Sequence, residues 1–375
     1  MNALDLLTGP MRWLITTLTL AACAPAPDPG SQYLADPAFR RASLASALVN
    51  PDNGYSRLRL QHYATGADGD WERLPEWNPA VSAGGPLALD ADLRALGEAA
   101  FFRFPAQGLP ATVDRASISP LSGLWHDPAS TDLPGGLVEV AYSDGSSGLG
   151  LTCSTCHARV VDGILVAGLA NQDFDYRELV QADAPSWGPG RIDVAPPPGE
   201  EPVAIPDLRP VGWLTHLHRD GTVLAGLVPL AIRIETLLIT SAGGAVRPPR
   251  EIALALATYL QSLAPPASTA DSHGRQIFDR RCGYCHAGPG LSGPPVLLGT
   301  IGTDPRVGLS ADRGTGGYRV PSLLGLGTRG RLLHDNSIAD IETLLDPTRS
   351  NGGHRFGLAL DPSERQQLIA FLQTL

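Results

Sequence analysis

The sequence predicts a mainly α-helical chain of two domains, with small β-hairpins inserted in the N-terminal one. Three observations carry that prediction. The pentapeptide Cys-x-x-Cys-His occurs twice, at Cys153–His157 and Cys282–His286. A helical run with the spacing Gly-x-x-x-Phe stands ahead of each, Gly97 to Phe101 and Gly274 to Phe278. A second matched pair follows: Ile205-Pro206-Asp207-Leu208 runs on to Asp220, and Val320-Pro321-Ser322-Leu323 to Asp335, with Pro and Asp equally spaced in both. Self-similarity of this kind marks an internal duplication.

The elements follow in order. Between Asp90 and Phe104, Leu93, Leu96, Ala100 and Phe101 fall on one helical face. Gly136–Tyr142 reads as a strand, and Val160–Val166 as a hairpin turning at Asp162-Gly163. A helix from about Pro249 to Leu263 stops at Ala264-Pro265-Pro266, which sets the two domains at 90–263 and 264–375. The last helix opens on Asp361-Pro362-Ser363-Glu364, an N-cap, a first-turn proline and a capping-box acid, and carries Leu368, Ile369, Phe371 and Leu372 inward. Residues 33–89 form an extension, helical at first and irregular from Asn50 to Gly85.

The repeated pentapeptide is the attachment pattern of a c-type haem. Two thiols one helical turn apart add to the two vinyl groups of one haem, and the adjacent imidazole turns back onto the iron. The expectation is two cytochrome c-like domains, each with one covalently bound haem c held by Cys153, Cys156 and His157 or by Cys282, Cys285 and His286. A redox dithiol, half of a zinc site and plain disulfides are the alternatives; none of them calls for His directly after the second Cys. Four of the five cysteines serve the motifs, so no structural disulfide is expected.

The chain has 375 residues, 43% of them hydrophobic, and a net charge of −10. Such an acidic chain is poorly suited to nucleic acid and compatible with a basic redox partner, a small cytochrome or a cupredoxin. The apolar run Trp13–Ala22 is too short to cross a bilayer, and Leu20-Ala21-Ala22-Cys23 resembles a bacterial lipobox. The expectation is a leader at 1–22, a lipid on Cys23, a tether at 23–32 and a location facing the periplasm. On that reading the membrane contact is the lipid alone. An ordinary signal peptide with an incidental cysteine is the alternative.

With these residues in hand, the chain resembles the di-haem cytochrome c peroxidase superfamily, with its MauG-type and RoxA-related members. The resemblance rests on the two Cys-x-x-Cys-His motifs, the Gly-x-x-x-Phe helices, and Tyr318-Arg-Val-Pro-Ser-Leu-Leu-Gly followed by Leu333-His334-Asp335-Asn336-Ser337. It implies that the C-terminal haem relays electrons and the N-terminal haem is the reactive one. Three departures stand out. Arg219 occupies the place of the family's inter-haem Trp, the positions expected to supply calcium ligands between the domains are not recognisable, so no calcium site is expected, and the only methionines are Met1 and Met11 in the expected leader. His/Met ligation is therefore excluded for the mature chain.

The sixth iron position decides between electron transfer and chemistry. For the C-terminal haem, His354 in a Gly-rich loop is the first candidate and His334 the competitor. For the N-terminal haem, His216 or His218 closes the iron, or the site is open beneath a distal acid. Pro229 followed by Glu235 matches the family's Pro-(five residues)-Glu, and such a carboxylate serves as the general acid–base of O–O cleavage. A solvated Glu235 is the plain alternative. Arg313 and Arg319 are candidates for the haem propionates, with Arg191 behind them. The expected activity is peroxidase-like, with peroxide or dioxygen as oxidant; a pure electron carrier with both haems six-coordinate is the other class.

Overall fold

The computed structural model describes residues 27–52, 54–65, 67–68, 77, 91–126, 133–141, 145–181, 187–193, 202–241, 246–264, 272–311 and 313–375. The expected leader, Cys23 and the boundary stretch at 265–271 lie outside them. Helices dominate: α1 (Pro29–Ala35), α2 (Pro37–Ala47), α3 (Gly54–Thr65), α4 (Ala91–Arg103), α5 (Cys153–His157), α6 (Leu227–Ser241), α7 (Arg250–Ser262), α8 (His273–Arg281) and α9 (Pro362–Leu372). Among the described residues, no helix is long and apolar enough to cross a membrane.

The duplication is visible as two copies of one helix crossing. In the first, α4 meets α7 at Gly97, where a Cβ would overlap the Ala255 carbonyl and stand 2.7 Å from Tyr259 Cβ. In the second, α8 meets α9 at Gly274, where a Cβ would overlap the Gln367 carbonyl and stand 2.8 Å from Phe371 Cβ. Glycine lets the backbones touch, and an aromatic pair one turn on seals each crossing. Phe101 and Tyr259 have ring centres 5.4 Å apart at 54°; Phe278 and Phe371 have them 5.4 Å apart at 53°.

The second repeat holds residue by residue over 205–223 and 320–338. A short 3-10 turn spans Val211–Trp213 in one and Leu326–Thr328 in the other. Left-handed backbone recurs at His218 and Leu333, and again at Gly221 and Asn336. Leu217 bridges Val223, and Leu332 bridges Ile338. Asp220 accepts the Thr222 amide and Asp335 the Ser337 amide, at 3.3 and 3.1 Å.

Strands decorate this frame. The strand β1 (Leu137–Ala141) pairs antiparallel with β2 (Ser147–Leu151), and β3 (Ala158–Val161) with β4 (Ile164–Ala167) through Asp162 and Gly163, both at positive φ as a type I′ turn requires. One expectation is corrected: hairpins are not confined to the N-terminal half. In the C-terminal half β5 (Gly293–Leu297) pairs antiparallel with β6 (Gly317–Val320). Pro294 and Pro295 argue against a strand in the sequence, and the register shift between Gly293 and Val296 is what accommodates them.

The extension is more helical than expected. The first helix, α1, begins at Pro29, inside the stretch read as tether, because Asp28 caps it by accepting the Ser31 amide. Asp36-Pro37 starts α2 in the same way. The helix α3 lies in the part read as irregular; it turns Ser56, Arg59 and Tyr63 inward, so its buried face carries no apolar period to read. These helices pack on α6, and Ala67–Asp68 pairs in parallel with Val246–Arg247 beyond it.

Candidate haem centres

The first motif is held by hydrogen bonds from all sides. Thr155 Oγ1 donates to Gly136 O at 2.6 Å, Trp125 Nε1 to Ser154 O at 2.9 Å, and Asn171 Nδ2 to Thr155 O at 3.1 Å. Burial pushes the Cys153 and Cys156 thiols up to about 12 and Cys282 up to about 11. A redox dithiol works through a depressed thiol pKa, the reverse of this setting.

Behind each motif histidine stands a backbone carbonyl. His157 Nδ1 donates to Pro206 O at 3.0 Å. His286 Nδ1 donates to Leu291 O at 3.1 Å. A carbonyl only accepts, so Nδ1 carries the proton and the Nε2 lone pair is left for a metal. Burial lowers both imidazoles to about 4, which keeps them in the neutral, ligating form. The proline of the first repeat thus has a structural reason: the Pro206 carbonyl lies behind the His157 imidazole.

His354 faces His286. Their ring centres are 6.4 Å apart, with planes at 62°. The two imidazoles would together hold a metal placed between them. His354 takes left-handed backbone after Gly352 and Gly353, and its amide donates to Ile301 O at 2.7 Å. Arg349 staples this loop: Nη1 donates to Asn351 O and to Gly353 O, the latter at 2.7 Å, and Nη2 to His354 O at 2.8 Å. His354 Nδ1 is buried without a hydrogen-bond partner, and burial lowers the ring's pKa. His334 stands differently: its ring stacks on Tyr318 at 4.6 Å and 25°.

Glu235 is fully buried on α6, which removes the reading of a solvated helix residue. Its Oε1 accepts Arg247 Nη1 at 2.7 Å and lies 3.7 Å from Arg250 Nε; its Oε2 accepts the Tyr33 hydroxyl at 2.6 Å. Burial, then Glu235, raises the Tyr33 pKa well above its usual value. The sequence reading missed Tyr33 and Arg247, because residues so far apart along the chain carry no shared local pattern.

His216 Nδ1 lies 3.0 Å from Thr215 Oγ1. His218 sits at positive φ; burial and then the charges of Arg233, Arg59, Arg313 and Arg319 lower its pKa well below the usual value. Arg313 pairs with Asp193 at 3.4 Å, both side chains buried. Burial brings Arg319 and Arg219 down to about 10, and the Nε of each is buried without an acceptor. Arg191 lies half-buried in the short strand Arg191–Ile192.

Covalent haem fits these residues. Each thiol pair precedes an oriented, neutral imidazole; the His354 ring centre lies 6.4 Å from that of His286, and its Nδ1 is buried without a partner; and the buried guanidinium nitrogens of Arg219 and Arg319 are donors suited to haem carboxylates.

No family model and no curated protein matches the sequence. Among solved structures, a MauG-like protein associated with microbial copper homeostasis is similar at 18% identity and a TM-score of 0.38, over 51% of this chain and 78% of that one. A hydrazine synthase of Kuenenia stuttgartiensis is similar at 15% identity and a TM-score of 0.38, over 77% of this chain and 95% of that one. Both scores lie below the level that marks a common fold.

Proposed function

We propose that this chain is a di-haem c-type oxidoreductase in which the C-terminal haem, held between His286 and His354, passes electrons to an N-terminal haem on His157 that reacts with peroxide or dioxygen. The observation that carries the reading is the His286–His354 ring separation of 6.4 Å, together with a carbonyl-oriented imidazole at each Cys-x-x-Cys-His motif. When bound, the haems supply one-electron redox chemistry. The chain's own part is to hold each imidazole neutral and oriented through Pro206 and Leu291 carbonyls, and to offer buried arginines to the propionates.

Two six-coordinate haems, and hence a pure electron carrier, form the second reading. His216 and His218 favour it, since either imidazole is a competent ligand, although the arginines around His218 suit haem carboxylates equally well. Glu235 is the candidate proton carrier on the enzyme reading, with Arg247 and Tyr33 holding both of its oxygens. The reading includes export, a lipid on Cys23 and a redox partner docking on an acidic protein; the leader residues lie outside those described.

Electron paramagnetic resonance of the oxidised protein, with and without peroxide, tests the proposal. One low-spin and one high-spin centre, the latter altered by peroxide, is the expected result. Two low-spin centres that peroxide leaves unchanged, before and after half-reduction, would establish the carrier instead.

A further inference from the structure

The repeats behind the two imidazoles are matched in backbone and mismatched in charge. Where the first copy has Asp207 the second has Ser322, and where the second has Arg329 the first has Leu214. Each copy thus folds without the ion the other carries, and the fold by itself demands neither. Asp207 directly follows the carbonyl that orients His157, and its side chain is fully buried. Arg209 grips it through Nε at 3.0 Å and Nη2 at 2.5 Å. Arg329 approaches the same carboxylate at 3.6 Å and donates to Ser322 O at 3.0 Å and Leu324 O at 3.2 Å, in the segment behind His286. Arg209 also reaches across to Thr328 Oγ1 at 3.0 Å. One buried cluster therefore ties the two proximal segments together, with its anion on the His157 side and a second cation on the His286 side.

We propose that the Asp207–Arg209–Arg329 cluster sets the two haem potentials apart, Asp207 favouring the oxidised N-terminal centre and Arg329 the reduced C-terminal centre. This rests on the two-haem reading above. A fixed negative charge beside a ligating imidazole stabilises the more positive ferric state, and a positive one destabilises it; burial limits the screening of either. Arg209 offsets part of the Asp207 charge, so the expected effect is moderate. Asp207, Arg209 and Arg329 are positioning residues and touch no substrate.

The test is spectroelectrochemical titration of the holoprotein and of Asp207→Asn, Arg329→Gln and Arg329→Lys, with the C-terminal haem identified by the spectral change of His354→Ala. Asp207→Asn is expected to raise the N-terminal potential, shifting the electron-sharing equilibrium about tenfold, or about 59 mV for one electron. Arg329→Gln is expected to lower the C-terminal potential by a similar factor, with Arg329→Lys restoring it. Shifts under twofold in both charge-removing variants, or shifts of opposite sign, overturn the proposal. If Asp207→Asn fails to load haem, Arg329→Gln and its lysine rescue decide alone, since Leu214 shows the frame folding without that cation. Fewer than two haems per wild-type chain by pyridine haemochrome would instead sink the underlying reading, before any variant is compared.

Discussion

The His286 and His354 rings have centres 6.4 Å apart with planes at 62°, and the two imidazoles would hold the iron of the C-terminal haem between them. No residue from 346 to 359 belongs to the hydrophobic core of the C-terminal half, so the geometry is built by polar staples and glycines rather than by core packing. His354→Ala is therefore expected to fold and to load both haems while converting the C-terminal centre from low spin to high spin. Added imidazole should restore the low-spin spectrum. A variant whose two spectra match those of the wild type would show that His354 is not the ligand.

The two glycine crossings should fail alike. A methyl group on Gly97 or Gly274 overlaps a helix carbonyl, and neither backbone can withdraw without separating the Phe101–Tyr259 or Phe278–Phe371 pair. Gly97→Ala and Gly274→Ala should each cost about 3 kcal/mol, the upper end for overpacking. Gly299→Ala is the control: nothing lies within 4 Å of its Cβ position, and the change should be neutral or slightly stabilising. Denaturant unfolding of the three variants measures all of this.

Those crossings, like the matched Pro206 and Pro321, could be read from the chain because duplication writes the same local requirement twice. Helix ends with Asp-Pro caps were equally readable, although Asp28-Pro29 was passed over inside a proline-rich stretch. What stayed hidden was encoded across distance. The inward face of α3 is Ser56, Arg59 and Tyr63, which no hydrophobic period reveals. Glu235 was singled out for its spacing from Pro229, but its partners Tyr33 and Arg247 come from segments that only the fold brings together. Arg349 carries no local signal in the sequence, yet it is buried and donates to four backbone carbonyls. The β5–β6 pair was masked by two prolines that a bulge absorbs.

Arg349 should act on the C-terminal centre without touching it. Its guanidinium holds the carbonyls of Leu344, Asn351, Gly353 and His354, so removing it leaves several buried acceptors unpaired. Arg349→Ala should cost about 2–3 kcal/mol. It should also give a temperature-dependent mixture of low-spin and high-spin C-terminal haem, as His354 swings free. Retention of pure low-spin character at all temperatures would mean that the glycine loop holds the ring by itself.

Glu235 has a structural task that a proton-carrying role must be measured against. Its carboxylate anchors the extension through Tyr33 and compensates the buried Arg247, whose Nη2 also donates to Tyr63 O. Replacing it with leucine strands a buried guanidinium and should cost about 3–5 kcal/mol. Tyr33→Phe removes one hydrogen bond and should cost about 1–2 kcal/mol. The two variants also separate anchoring from chemistry. If Glu235 only anchors, Tyr33→Phe and Glu235→Gln will loosen the extension, seen as faster proteolysis ahead of α4, and leave the peroxide reaction rate of the folded fraction near that of the wild type. If Glu235 carries the proton, Glu235→Gln will slow that reaction by at least a hundredfold. Tyr33→Phe, which keeps the carboxylate and its arginine in place, will not.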